Sequence, residues 1–510
     1  MTTPTLRLVH RIAVAATAVA LLGTSGCKIG GTSPSASASA GSIAPQAPAA
    51  LDPSESSAGD LYTPGDGNGG YDVQHYGLKL AIDPGDQAKA LDGTAEITAQ
   101  ATKYLSRFDL DLTGLNVASV TVDGAAAKYE RQSSELVVTP AKPLAKDAKF
   151  IVSVAYSGTP EPVNDPLLGR YGWIRTSDGV FIACQPSGAH TWFPANDHPS
   201  DKATFDFEIT VPKGLTVIAN GDPVGEAPGQ SSPGGTSKPG ATQSPTIITA
   251  SARRETTTSH WQVKDPMATY LATVDIGNFQ VKTGKTPGGV PIIVAVDPSI
   301  GSANVNDVYA NTAQITDAWA KLFGPYPFTS TGAIVDNADV GFALETQTRP
   351  VFGGFGAQPE ILAHELAHEW FGDSVSVTKW QDIGLNAGFA TYSVWTWGER
   401  SGGPSVQKKY DDLYRLVNDP RWKKPPGDPG RKDMFDQFAV YDRAAMTLHA
   451  LRKRVGDDKF WTILRTWAKE HRHANGTTPE FISTAERVSG MKLDTLFQAW
   501  LYGKTRPTNW

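Results

Sequence analysis

Two histidines four residues apart, His364 and His368, stand on either side of Glu365, which directly follows the first of them. Pro359 is suited to the first position of a helix, and Gly372 is suited to follow its end, so the sequence predicts a helix between them. On a helix the two imidazoles share a face and can bind one zinc ion, while Glu365 lies where a carboxylate can act as general base on water. Two surface histidines on an ordinary helix remain the alternative on this motif alone.

The elements that must position this helix differ between the two halves of the chain. From residue 61 to 285 apolar residues alternate or form short runs bounded by turn residues, which predicts a β domain. From residue 286 to 510 the spacing is mainly helical. The expected fold class is therefore α+β. The clearest expected strands are 76–82, 95–99, 150–156, 204–211 and 270–276, and the expected helices are 302–323, 359–371, 385–400, 439–455 and 458–470.

Longer segments around the histidine pair resemble the aminopeptidase N family of gluzincin zinc metallopeptidases, which includes the leukotriene hydrolases. The resemblance rests on H-E-L-A-H-E-W-F-G at 364–372 and W-Q-D-I-G-L-N-A-G-F-A-T-Y at 380–392. Three further segments resemble family signatures in the family's order: Q-P-S-G-A-H-T-W-F-P-A-N-D-H-P at 185–199, G-F-A-L-E at 341–345 and V-Y-D-R-A-A-M-T-L-H-A-L at 440–451. The resemblance implies a saddle-like β domain followed by a thermolysin-like catalytic domain, without the C-terminal helical domain of longer members.

The resemblance also implies a role for each matched residue in removing N-terminal residues from peptides. The two histidines of the motif would ligate one zinc ion and Glu365 would deprotonate a water molecule. Tyr441 would donate a hydrogen bond to the oxyanion, an interaction that is strongest in the transition state. Glu345 would pair with the free α-amine of the peptide, Gln185 would hydrogen-bond its first residue, and Gly341 belongs to the same substrate-binding segment.

The sequence departs from the family pattern at the third zinc ligand. The family has Glu in L-N-E-G-F-A, whereas this chain has Ala387 in L-N-A-G-F-A, and a methyl group cannot ligate a metal. Catalytic zinc normally has three protein ligands and a water molecule. The two histidines could still bind zinc weakly with extra waters, or Asp382 or Glu345 could supply the missing carboxylate. Two hypotheses follow: a zinc aminopeptidase with an impaired or adapted metal site, or an inactive descendant that binds peptides or a protein.

The whole-chain composition is that of a globular protein. The chain has 510 residues, 40% of them hydrophobic, and a formal net charge of −6. The absence of a long basic run argues against nucleic acid as a partner. Two cysteines, Cys27 and Cys184, exclude a disulfide framework, and we expect the second to be an unpaired, buried small hydrophobe.

The first residues indicate export. A basic start followed by an apolar run of about eleven residues is typical of a signal peptide, here expected over 1–26. The run ends in small residues before Cys27, which resembles a bacterial lipobox and predicts a lipid anchor on the outer face of the cell membrane; ordinary cleavage and secretion is the alternative. Segments 27–60 and 227–245 are rich in Ser, Ala, Gly and Pro, and we expect a tether and a disordered insertion there. Oligomeric state is not readable from the sequence.

Overall fold

The first half of the chain consists of β-strands that bury one face. In Leu91–Ala101, for example, buried residues occupy every second position, as expected for side chains that alternate between the two faces of a sheet. The strands described in this half are β1 (Tyr71–Ile82), β2 (Leu91–Ala101), β3 (Phe108–Asp111), β4 (Asn116–Val122), β5 (Ala125–Ala126), β6 (Lys128–Gln132), β7 (Glu135–Thr139), β8 (Lys149–Gly158), β9 (Val163–Asp165), β10 (Gly169–Arg175), β11 (Val180–Ala183), β12 (Lys202–Pro212), β13 (Thr216–Ala219), β14 (Asp222–Pro223), β15 (Thr256–Ala268) and β16 (Val274–Gly277).

These strands form three sheets among the residues that the structure describes. The largest has the order β14-β15-β12-β1-β2-β8-β4-β5, and its β1–β12 pair is parallel. A second sheet has the order β13-β16-β11-β10-β9, and a third the order β3-β7-β6. The aromatic side chains of Tyr76, Phe193 and Phe205 pack against one another beneath the large sheet. The prediction of an all-β first half is confirmed.

The second half combines a five-stranded mixed sheet and a separate two-stranded parallel sheet, formed by the last two strands given below, with helices. The mixed sheet has parallel neighbours β18, β19 and β21 at the centre, with antiparallel strands at both edges in the order β17-β18-β19-β21-β20. The strands are β17 (Gln280–Lys285), β18 (Pro291–Val296), β19 (Thr331–Val335), β20 (Ala343–Leu344), β21 (Val351–Phe352), β22 (Val375–Val377) and β23 (Ala474–Gly476). The α-helices are α1 (Val305–Phe323), α2 (Pro359–His368), α3 (Gly384–Arg400), α4 (Val406–Tyr414), α5 (Ala444–Val455), α6 (Asp457–Glu470), α7 (Thr478–Ser489) and α8 (Asp494–Phe497).

The structure is a computed structural model that describes residues 55–225 and 255–510, all of which belong to one unit, Asp52–Trp510. The expected signal peptide, Cys27 and the insertion at 227–245 lie outside the described residues. No helix within the described ranges is both long and apolar enough to cross a bilayer. Cys184 is buried and unpaired, as expected.

Three expectations need correction. The expected strand 270–276 is instead a 3₁₀ turn, Thr269–Leu271, followed by β16. The last residues of the expected tether, 55–60, are packed against the protein: Asp60 is buried and accepts a hydrogen bond of 2.7 Å from the backbone N–H of Trp380. Strand β17 pairs with β18, so the sheet of the second half begins before residue 286.

Helix α2 is held from two sides. Its apolar face buries Leu362 and Leu366, and the indole N–H of Trp319 on α1 donates 3.1 Å to the carbonyl of Ala363. On the other side, α3 packs against α2 and in turn against α5. The contact between α3 and α5 requires Gly388, because a Cβ at this position would lie 2.4 Å from the Cβ of Ala444.

Candidate active site

The two histidines of α2 lie side by side. Their ring centroids are 4.9 Å apart and their planes are inclined by 75°. Nδ1 of His368 lies 3.0 Å from the backbone oxygen of Phe371, and since a carbonyl only accepts, Nδ1 carries the proton. Nε2 of His368 is therefore the lone-pair nitrogen, and a hydrogen bond of this kind fixes both tautomer and orientation of a metal-ligating imidazole.

Two carboxylates meet His368. Donor atoms of Glu345, Glu365 and His368 all lie within 4.8 Å of one another, and the three residues are 3%, 5% and 4% exposed. His364 lies beside this trio on α2. The chain thus brings together side chains from α2 and from the edge of the central sheet, where Glu345 directly follows β20.

Gln185 approaches from the β domain, two residues after β11. Its amide Nε2 donates a hydrogen bond of 2.7 Å to Oε1 of Glu345, and the hydroxyl of Tyr270 lies 3.5 Å from the same oxygen. The predicted proximity of Gln185 to the catalytic half is therefore present in the structure. Tyr270 was not identified from the sequence, because a tyrosine in an apolar run carries no sign of its polar contact.

Tyr441 lies in a π-helical segment, Gln437–Arg443, which leads directly into α5. Its ring stacks on that of His364 with a centroid distance of 5.9 Å and an interplanar angle of 24°. Burial raises the pKa of the Tyr441 hydroxyl, and the charges of Glu345 and Glu365 raise it further. The hydroxyl is therefore protonated at neutral pH and available as a donor. Single π-helical turns are frequent at functional sites.

The electrostatics of the cluster favour a bound cation. Burial raises the pKa of Glu365 well above its usual value, and the neighbouring Glu345 raises it further. Burial lowers the pKa of His364, and His368 adds to this effect. Burial thus favours the neutral form of the His364 imidazole, which is the form that binds a metal, and a bound cation would stabilise the ionised form of Glu365.

Further buried acids lie behind the cluster and were not identified from the sequence. Glu369 accepts a hydrogen bond from the backbone N–H of Thr348, and Asp373 is fully buried. Burial raises the pKa of Asp373, as do the charges of Glu369 and Glu345. Lys202 donates 2.7 Å to the backbone oxygen of Asp373. In the sequence Glu369 directly follows the histidine motif and Asp373 lies five positions after His368, where both resemble ordinary surface charges at the end of a helix.

Position 387 is buried near the start of α3 and offers no ligand. Ala387 is in the first turns of α3 and is 3% exposed. That end of α3 lies against His368: a Cβ on Gly372 would be 3.0 Å from Nδ1 of His368 and 3.5 Å from Nδ2 of Asn386. Gly372 has φ of +147°, so a larger residue is disfavoured there by both backbone and space.

Of the two carboxylates considered as a replacement ligand, only one lies at the histidines. Asp382 is engaged elsewhere, since its Oδ1 accepts a hydrogen bond of 2.5 Å from the hydroxyl of Thr478. Glu345 is in the trio with His368. The trio consists of Glu345, Glu365 and His368, and His364 is not a member of it. Gly341 is exposed, and a Cβ there would meet no atom within 4 Å.

Comparison with protein families identifies both halves of the chain. Residues 72–233 match the peptidase M1 N-terminal domain, and residues 357–500 match the peptidase family M1 domain. Tricorn protease-interacting factor F2 of Thermoplasma acidophilum is 25% identical over 424 residues, covering 77% of this chain and 48% of that protein. Aminopeptidase N of Lactococcus lactis subsp. lactis is 23% identical over 463 residues, covering 84% and 50%. The chain thus spans about half the length of these relatives.

Solved structures match over nearly their whole length. A two-domain M1 zinc metallopeptidase mutant bound to L-arginine has a TM-score of 0.77 and 28% identity, with 88% of this chain and 98% of that chain covered. A mutant M1 zinc metallopeptidase of Deinococcus radiodurans bound to a Tyr-Ser-Ala substrate gives the same TM-score and identity, with 88% and 99% covered. The two matched domains in their family order, the shared two-domain fold and the paired histidines on α2 show that the chain belongs to peptidase family M1.

Proposed function

We propose that this chain is a zinc aminopeptidase that binds one zinc ion weakly and removes N-terminal residues from peptides. The observation that carries the proposal is the buried carboxylate of Glu345, which lies within 4.8 Å of the donor atoms of Glu365 and His368 and is held by Gln185. An acidic group fixed beside the histidine pair places the free amine of a peptide next to the position where its first peptide bond would be hydrolysed.

The residues divide the chemistry among themselves. His364 and His368 would hold the zinc ion, while Glu345 would bind the free α-amine of the peptide. When bound, zinc supplies a Lewis acid that polarises the peptide carbonyl and makes water more acidic. Glu365 takes the proton from the attacking water, and the Tyr441 hydroxyl donates a hydrogen bond to the developing oxyanion.

Substrate selection follows from the same carboxylate. A protonated α-amine satisfies Glu345, whereas a blocked N-terminus leaves this carboxylate buried and unpaired at a cost of about 1–3 kcal/mol or more. Two relatives are named as aminopeptidases: glutamyl aminopeptidase of Bitis rhinoceros and aminopeptidase N of Lactococcus lactis. Their names support the proposal that this chain acts on N-terminal residues.

The test combines zinc analysis with turnover. Purified protein should contain up to one zinc ion per chain by elemental analysis and hydrolyse an aminoacyl chromogenic substrate, and Glu365→Gln should abolish hydrolysis while zinc content is kept. Protein that holds no zinc at millimolar supply and shows no turnover, but binds the same peptides, would instead support the second hypothesis, a peptide-binding descendant. Ala387 is the observation that favours that second hypothesis.

We also propose that the protein is exported and anchored to the outer face of the cell membrane through a lipid on Cys27. The support is the sequence alone: an apolar segment that ends in small residues before Cys27, followed by a Ser/Ala/Gly/Pro-rich stretch. Mass spectrometry of the membrane fraction tests this. An acylated N-terminal Cys27 is the expected result, and an unmodified N-terminus downstream of it in a secreted protein contradicts the proposal.

A further inference from the structure

A second group of carboxylates lies away from the histidine motif. Oxygen atoms of Asp178, Asp297 and Asp336 are all within 4.8 Å of one another. Asp297 and Asp336 directly follow β18 and β19, neighbouring parallel strands of the central sheet, so their side chains meet at the same edge. Asp178 comes from the turn between β10 and β11 in the β domain. The group, called here the aspartate triad, therefore joins the two halves of the chain.

Asp336 is the unusual member of the triad. It is fully buried, and within residues 55–225 and 255–510 no donor forms a hydrogen bond of good geometry with either of its carboxylate oxygens. Burial raises the pKa of Asp336 to about 9, and the charge of Asp275 raises it further. A buried carboxylate without donors is costly unless a proton or a cation neutralises it.

The other two members are already oriented by hydrogen bonds. The side-chain amide of Asn337 donates to both Asp178 and Asp297, the backbone N–H of Ser299 donates 2.7 Å to Asp297, and that of Asn278 donates 2.9 Å to Asp178. These donors hold the carboxylates in place around the oxygens of Asp336. Asp178 is half-exposed, which leaves a route from solvent.

We propose that the aspartate triad binds a calcium ion that joins the β domain to the catalytic sheet. Calcium takes oxygen ligands at about 2.3–2.6 Å, so two oxygens bound to one ion can be up to about 4.8 Å apart, the limit within which the triad lies. Magnesium demands shorter bonds of about 2.0–2.1 Å and stricter geometry. The all-carboxylate donor set suits a hard cation rather than zinc, which prefers imidazole and thiolate ligands.

The ion would also fix the two segments that carry the candidate substrate-binding pair. From Asp178 the chain runs along β11 to Gln185, and from Asp336 it runs through the loop and β20 to Glu345. The same two segments thus meet twice, at the triad and at the hydrogen bond between Gln185 and Glu345. The calcium proposal does not depend on peptidase activity, because its site and its readouts are separate from the histidines.

The test uses the full chain after EDTA treatment and dialysis, with thermal unfolding and isothermal titration in CaCl₂ or MgCl₂. Wild type should bind one Ca²⁺ per chain, and saturating CaCl₂ should raise its Tm by about 2 °C or more. Asp336→Asn and Asp178→Asn should each lose this response. Two variants should keep it: Asp86→Asn, which removes an exposed carboxylate, and His368→Ala, which disables the other candidate metal site.

Each result of this experiment either supports or contradicts calcium binding at the aspartate triad. If Asp336→Asn does not fold, Asp178→Asn in the half-exposed turn provides the comparison. Absence of calcium binding by wild type would mean that Asp336 keeps a proton instead, and would overturn the proposal. Binding that survives both triad substitutions, or is lost in His368→Ala, would overturn the assignment to the triad. An equal rise in Tm with MgCl₂ would overturn the choice of calcium.

Discussion

The amide of Gln185 donates a hydrogen bond of 2.7 Å to Oε1 of Glu345 across the junction of the β domain and the catalytic half. Gln185 follows β11 and Glu345 follows β20, so each side chain is placed by the end of a strand. Since the amide occupies one carboxylate oxygen, the other remains for a peptide ammonium group. Substrate binding thus depends on both halves of the chain.

The first prediction concerns this pair. Glu345→Gln should lower kcat/KM on free-amine peptides by about 10–100-fold, because a charge-assisted hydrogen bond contributes about 1.5–3 kcal/mol. Gln185→Ala should give a smaller loss, mainly as a higher KM. Both variants are compared with wild type on the same peptide with free and acetylated N-termini.

Acetylation is the control for the role of the carboxylate. Wild type should cleave the acetylated peptide far more slowly than the free one, and Glu345→Gln should reduce that difference. Equal rates of wild type on the two peptides would show that Glu345 does not recognise the α-amine.

The second prediction concerns two glycines of α3 whose surroundings differ. A Cβ on Gly384 would lie 3.6 Å from Ala444 and from Pro426, an ordinary contact beside an apolar cavity of about 30 Å³. Gly384→Ala should therefore stabilise the protein by up to about 1 kcal/mol through helix propensity. Gly388→Ala should destabilise it by about 1–3 kcal/mol, since its Cβ would lie 2.4 Å from that of Ala444.

Urea unfolding measures both changes in the same background. A double variant, Gly388→Ala with Ala444→Gly, serves as the control because it restores the space between α3 and α5. If Gly388→Ala is neutral, or if Ala444→Gly does not recover its loss, the close approach of the two helices is not what Gly388 provides.

Periodicity and end signals were sufficient for most long elements of the fold. Helix α2 begins at Pro359 as expected, and the expected strand 204–211 lies within β12. The prediction of a continuous strand over 270–276 was wrong at its first residues, because apolar composition does not distinguish a strand from a buried 3₁₀ turn. The expected tether extended too far, over residues 55–60, because polar composition gives no sign of a specific tertiary partner. Here Asp60 accepts a hydrogen bond from the backbone N–H of Trp380.

Some residues of the candidate sites could be predicted from the sequence and others could not. Motif spacing was enough to place His364 and His368 on one helix face, and the family resemblance brought Glu345 and Tyr441 to them. Asp336 could not be found in this way, because its importance depends on burial and on two other strands and turns that converge on it. Such convergence of distant residues is a property of the tertiary fold and has no local sequence signal.

The third prediction concerns the pH dependence of stability at His190. Burial alone would lower the pKa of His190, but the hydrogen bond and charge of Asp197, 2.8 Å away, outweigh it and raise the pKa to about 9. A raised folded-state pKa means stabilisation that is complete below about pH 6.5 and is lost as pH rises through about 9. The difference between the unfolded pKa of about 6.5 and the folded pKa of about 9 corresponds to about 3 kcal/mol of free energy of unfolding.

Comparison of His190→Gln with wild type isolates this contribution. The variant should be less stable than wild type at pH 6, and the gap should shrink by pH 9.5 in urea unfolding. His260→Gln, on the exposed face of β15, should keep the wild-type pH profile. A gap between His190→Gln and wild type that is constant from pH 6 to 9.5 would show that His190 contributes by packing and not by charge.

The fourth prediction concerns position 387. Ala387→Glu should raise zinc affinity by about 10–100-fold and increase turnover, because a third protein ligand completes the set that catalytic zinc normally has. The position is buried in the first turns of α3, next to the helix end that lies against His368. Without zinc the added carboxylate is buried and unpaired, so the variant should be less stable than wild type in metal-free buffer and gain more Tm on zinc addition.

Ala387→Gln separates the charge of the new side chain from its size. The amide has the same length but lacks the negative charge that favours zinc, so it should leave zinc retention after dialysis close to that of wild type. If Ala387→Glu raises neither zinc retention nor turnover, the missing carboxylate is not the limiting defect. The peptide-binding hypothesis then gains support over the peptidase.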